Sequence, residues 1–181
     1  MLILKIPARE LYRDDLGIFV DVKDTELRLE HSLVSISKWE SKWKKPFLVN
    51  DPPKTFEETI DYIRCMTISQ NIDPMVYYAL TKREIEIVNR YIDDPMTATT
   101  FSSRDGSRPG RQKVTSELVY YWMVGYQIPF ECQKWHFNRL MTLIRICEIK
   151  NAPEKKMSKS EILAQNRALN KARRAKLNTK G

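Results

Sequence analysis

Cys132 and His136 stand four residues apart, an interval that places two side chains on one side of an α-helix. A thiolate beside an imidazole is half of a zinc site, or a nucleophile with its base. Zinc needs further donors, and Cys65, Cys147 and His31 are what remains, with no CxxC pair and no motif tying them together. As a nucleophile and base the pair lacks a third group to orient the imidazole and donors for an oxyanion. The two residues therefore read as a buried thiol and a hydrogen-bonded core histidine. No catalytic residue, metal ligand or cofactor is assigned, and an enzyme is not expected.

Positive charge offers the next chemistry. Arg104, Arg108, Arg111 and Lys113 lie beside Gly106 and Gly110 in a loop over 102–113, but the spacing matches neither GxxxxGK[ST] nor GxGxxG. The loop reads as a solvated segment able to touch an anionic partner. Trp39 and Trp43 interleave with Lys38, Lys42, Lys44 and Lys45, a composition that can stack on single-stranded nucleic acid. Their i, i+4 spacing favours indoles turned inward and lysines turned outward. Glu57, Glu58 and Asp61 fall near a predicted helix start, where capping and the helix dipole account for them.

The largest charge imbalance lies at the end of the chain. Residues 154–181 hold nine Lys or Arg against two acids, which leaves +7 of the formal +8 there and a body near neutrality. Leu163, Arg167, Leu169, Lys171, Arg173, Arg174 and Lys176 are the candidate partner-binding residues of this tail, with Arg104, Arg108 and Arg111 in the loop. Such a segment can neutralise phosphates or order itself on an acidic protein surface. No aromatic residue follows Phe137, so nothing there stacks on bases.

The elements that hold these residues follow from periodicity. Leu2, Leu4 and Ile6, then Ile18, Val20 and Val22, then Leu27 and Leu29 alternate with a period of two, which predicts an antiparallel β-meander over 1–31. From Ser32 the spacing becomes helical: Leu33, Ile36, Trp39 and Trp43 form one stripe. Thr55–Glu58 and Thr81–Glu84 are capping boxes, the first opening a helix with Phe56, Ile60, Ile63 and Thr67 on one face. Asp73–Pro74 starts a short helix carrying Met75, Tyr78 and Ala79, and Met96–Phe101 is a short strand or an extended crossing.

Val114–Ile149 holds two of the four Trp and two of the three Cys and predicts an αα-hairpin at the centre of the core. Leu118, Tyr121, Trp122 and Gly125 mark the first helix, and Pro129 begins the second. Trp122, Trp135, Leu140 and Ile144 are expected to be buried. Ser158–Glu161 is a further capping box, opening a tail helix of high propensity and sparse apolar residues. The expected fold is α+β, mostly α: one domain over 1–153, with the meander packed on a helical bundle over 32–153, and a basic C-terminal helix over 154–181.

The composition, 42% hydrophobic and 30% charged, is that of an ordinary globular chain. No apolar run approaches the roughly 18 residues that a bilayer span needs, so no membrane partner is expected. The opening MLILKIPARELY lacks the n-region, h-region and cleavage site of a signal peptide, and the unpaired cysteines suit a reducing compartment, so an intracellular protein is expected.

HSLVSISKWESKWKKPF at 31–47, DYIRCMTISQNIDP at 61–74, DDPMTATTF at 93–101, IPFECQKWHFNRLMTLIRICEIKNAP at 128–153 and the ending ALNKARRAKLNTKG resemble proteins encoded among the structural and assembly genes of long-tailed bacteriophages. The group they resemble is the tail assembly chaperones, which bind the tape measure protein before the tail tube polymerises around it. The resemblance spans most of the chain, but none of its segments is a motif of understood chemical role. It carries over a setting and no site residue. It implies a partner among the tape measure protein and other tail proteins, self-association, and action in the host cytoplasm. Two other readings stand beside it: a structural component of the virion, and a nucleic-acid-binding protein acting through the basic tail.

Overall fold

The alternating N-terminal segments form four strands in the computed structural model, which describes residues 1–13, 17–101, 113–152 and 159–177. They are β1 (Leu2–Ile6), β2 (Arg9–Arg13), β3 (Ile18–Val22) and β4 (Thr25–Leu29). β1 pairs antiparallel with β4, Leu4 opposite Leu27, and β2 pairs with β3, Leu11 opposite Val20. The antiparallel β-region is as expected, with β2 as an additional strand and a nested pairing of the four. β2 carries Arg9, Glu10 and Arg13 among its five residues, so it shows no alternation of apolar side chains. Leu4, Ile6, Val22, Leu27 and Leu29 face the core. Residues 66–68 run along the end of β4: Ile68 N–H donates to Arg28 O at 2.8 Å, and Glu30 N–H to Met66 O at 2.9 Å.

The helices are α1 (Leu33–Trp43), α2 (Phe56–Met66), α3 (Met75–Tyr78), α4 (Lys82–Asp93), α5 (Ser116–Gly125), α6 (Phe137–Asn151) and α7 (Lys159–Leu177), with a 3-10 helix at Phe130–Lys134. This is the expected α+β class, mostly α. Ser32, Thr55 and Thr81 cap α1, α2 and α4 through reciprocal capping boxes with Ser35, Glu58 and Glu84. Lys44, with φ of 56°, stops α1 in the left-handed region.

α1 is the hub of the bundle: α2, α5 and the 3-10 helix all pack against it. Leu33, Ile36 and Trp39 are its fully buried face. This displaces the expectation that the 114–149 hairpin organises the core. Within that hairpin, the second helix does not start at Pro129. The 3-10 turn comes first, Trp135 is extended, His136 bridges to Ser32, and α6 begins only at Phe137, whose N–H donates to His31 O at 2.7 Å.

Several expected faces are shifted. α5 buries Ser116, Val119 and Met123, while Tyr121 is 70% exposed. The helix is apolar almost all round, so spacing alone could not select the inner side. Leu140 and Ile144 are buried as expected, whereas Trp122 and Trp135 are only partly so. The Arg139 guanidinium lies 4.4 Å over the Trp135 ring. Phe56 is exposed at the first turn of α2, and α3 buries Val76 and Tyr77 rather than Tyr78. Residues 96–101 carry no strand. The Ser158 cap and the loop at 102–112, with Arg104, Arg108 and Arg111, lie outside the described residues.

The chain divides into two compact units, Met1–Cys147 and Glu148–Gly181, so the last turn of α6 belongs with α7. Among the described residues no helix is long and apolar enough to cross a membrane.

Candidate partner-binding surface

α7 is built from Ala, Leu, Lys, Arg, Gln and Asn with no Gly or Pro and one β-branched residue, so propensity alone favours a helix. Arg174 and Lys176 in its last turn meet the negative end of the helix dipole. Every described α7 side chain is exposed, Ile162, Leu163, Leu169 and Leu177 among them.

At 3.6 residues per turn these residues fall on two faces rather than one thin stripe. Leu163, Arg167, Lys171 and Arg174 follow at intervals of four, four and three, giving a cationic stripe with a leucine at its N-terminal end. Ile162, Leu169, Arg173 and Lys176 follow at seven, four and three on the other side, apolar in the N-terminal half and basic in the C-terminal half. Each face can cover an apolar side chain and an acid on the same partner segment.

The first unit also shows large apolar side chains to solvent. Tyr12 and Phe19 are cross-strand partners on the β2–β3 hairpin, ring centroids 4.9 Å apart, and both are exposed. Tyr121, Val124 and Phe130 are exposed along α5 and the 3-10 turn. Exposed apolar side chains of this size are available for contact with another surface.

The residues that suggested catalysis or metal binding are placed differently. Cys132 sits on the 3-10 turn and His136 beyond its end, so they share no helical face. His136 Nδ1 accepts from Asn138 N–H at 3.3 Å, which leaves Nε2–H to donate to Tyr91 O at 2.9 Å. Main-chain groups thus engage both of its ring nitrogens. His31 packs edge-on to it at 5.1 Å, and its Nδ1 is hydrogen-bonded to the Tyr62 hydroxyl, which also meets Ser35 Oγ at 3.3 Å. Burial, and then the nearby His136, lower His31 to about 3. Burial also pushes Tyr62 far up, and burial followed by Asp61 raises the Cys65 thiol to about 11. Burial thus holds His31, Tyr62 and Cys65 neutral; the cluster ties the end of β4 to α2 and α6. Among the described residues no three His, Cys, Asp or Glu side chains gather as a metal-binding group.

The α1 indoles turn inward as spacing implied. Trp39 Nε1–H donates to Glu58 O and Trp43 Nε1–H to Asp61 Oδ2, both at 2.9 Å, and the rings stack at 6.2 Å. Lys42 pairs with Asp61 and Lys45 with Glu58. The Glu58 carboxyl is lowered chiefly by the Lys45 hydrogen bond and then by Thr55. A cleft of about 430 Å³ is lined by the 47–54 segment, α2 and α4, with Lys54 among its residues, and no sequence motif marks it.

No family model, curated protein or solved structure matches the chain.

Proposed function

We propose that this protein is a bacteriophage tail assembly chaperone that holds the tape measure protein in the host cytoplasm until the tail tube encloses it. The observation that carries the reading is α7, a helix of 19 residues whose described leucines and cations face solvent on two mixed faces. A long helical client with exposed apolar stripes needs cover before assembly, and a basic amphipathic helix supplies contacts to its apolar and acidic sides. The exposed aromatic residues of the β2–β3 hairpin and α5 extend the available contact surface or serve self-association. The segment resemblance to tail assembly proteins points the same way.

Co-expression with the neighbouring tape measure gene is the direct test. The expected result is a soluble complex weakened by substitution of Leu163 and Leu169 and, separately, of Arg173 and Arg174. If client solubility is unchanged and no complex forms at low salt, the reading fails; recovery of the protein in purified particles then makes it a virion component. The stripe of Arg167, Lys171 and Arg174 supports a second reading, nucleic-acid binding. That reading requires DNA retention falling steeply with salt, since each neutralised phosphate releases a counterion.

A further inference from the structure

Three lysines flank α2 on the side facing the 44–55 segment, and they are not equivalent. Lys42 and Lys45 are paired with Asp61 and Glu58. Lys54 makes no ion pair with the described residues. Its ammonium lies 4.5 Å over the Phe47 ring and 5.8 Å from that of Trp39, at the mouth of the cleft of about 430 Å³. Partial burial lowers its pKa, with Glu58 acting in the opposite direction. Partial removal from water without a directly paired carboxylate among the described residues is a cost that a ligand anion would offset.

The rest of the lining narrows the ligand. Leu48 and Ile92 keep apolar surface accessible in the lining beside the nearly buried Phe47, Tyr62 and Ile63, and Asn50 and Asn89 add amides. Asp93 lines the same cleft, and its charge disfavours a phosphate dianion while accepting N–H donors. A monoanionic carboxylate attached to an apolar body with amide N–H groups satisfies all of these. That is the chemistry of a peptide in which Glu or Asp neighbours a large apolar residue, and the volume suits a few such residues.

We propose that this cleft is a peptide-binding site, which takes an apolar client side chain against Leu48 and Ile92 and the adjacent carboxylate onto Lys54. It rests on the client-holding reading, and adds a second point of grip that recognises local sequence instead of overall charge.

The test is titration of the full-length protein with the peptide Ac-Ala-Leu-Glu-Leu-Ala-NH2, followed by amide chemical shifts. The expected perturbations map to residues 47–54, 59–63 and 89–93. Lys54→Glu is expected to weaken binding at least about tenfold and to favour the same peptide with Lys in place of Glu, while Lys54→Arg keeps most of the affinity. The charge-swapped pair keeps the test valid even if Lys54→Glu lowers stability. Shifts outside the cleft, no shift at millimolar peptide, or equal affinity of Lys54→Glu for both peptides would overturn the site. Equal binding of N-acetylglutamate would overturn its peptide specificity. A failed tape measure co-expression with a successful titration removes the named client and leaves the cleft standing; the converse outcome removes the cleft alone.

Discussion

Glu40, buried on α1, accepts a hydrogen bond at 2.7 Å from the main-chain N–H of Ser116, 76 residues further along the chain. Its other oxygen accepts from Phe47 N–H, also at 2.7 Å. Thr115, the residue in the N-cap position of α5, makes no capping bond of its own. One carboxylate on α1 therefore closes the turn after α1 and caps α5, which fixes the side of α5 that faces inward. Glu40→Gln places an amide N–H against one of these donors and is expected to cost about 2–3 kcal/mol in urea unfolding. A loss below about 0.5 kcal/mol would show that α5 is positioned by packing alone.

Acid should destabilise the protein through His31. Its folded pKa, about 3, lies below the ordinary value of 6.5, so the unfolded chain binds the proton first. Stability is then full above pH 6.5 and is lost as pH falls toward 3, by about 2 kcal/mol at pH 5. His31→Gln should flatten the dependence between pH 6.5 and 5; an unchanged slope would place its origin elsewhere.

Arg9 on β2 grips the start of α4. Its guanidinium donates to both Glu84 oxygens, at 2.7 and 3.2 Å, and to Ala79 O at 2.9 Å. Burial raises the Glu84 carboxyl, but the Arg9 and Thr81 hydrogen bonds outweigh it and the net shift is downward. A lowered carboxyl contributes stability above the carboxylate range and loses it as pH falls through the folded pKa. Arg9→Met should cost about 1–3 kcal/mol at pH 7. The gap to the parent protein should shrink below the carboxylate range; a pH-independent gap would assign the loss to packing.

Leu140 is fully buried in α6, so Leu140→Ala is expected to cost about 2–5 kcal/mol. Tyr121→Ala, at a 70% exposed position, should stay within about 0.5 kcal/mol. Equal losses at the two positions would contradict the orientation of α5.

Truncation after Pro153 should shift the thermal midpoint of the body by less than about 2 °C, since the described α7 side chains are exposed and such a shift is under 1 kcal/mol. Differential scanning calorimetry of the two lengths measures this. A drop of many degrees would mean that Ile162, Leu163 and Leu169 contribute to the folded body.

Local patterns in the chain determined most of the elements. Ser32, Thr55 and Thr81 each carry the hydrogen-bonding partner for their own helix three residues on, and alternation at Leu2–Ile6 and Leu27–Leu29 needs only a sheet with one buried side. The high helix propensity of 159–177 and its charge excess are likewise properties of neighbouring residues. Long-range contacts decided the rest. β2 pairs through its main chain although three of its five residues, Arg9, Glu10 and Arg13, are charged, and the inner side of α5 depends on Glu40. His136 was drawn out of a helix by its bridge to Ser32, and His31 became a neutral core group only when Tyr62 and His136 closed around it. The cleft at Lys54 forms only where α4 packs beside the 47–63 stretch, and that its charge has no ion pair among the described residues is visible only once Lys42 and Lys45 have taken the nearby acids. Periodicity records which residues share a face of one element; which face another element covers, and which charge is left without a partner, are properties of the packed chain.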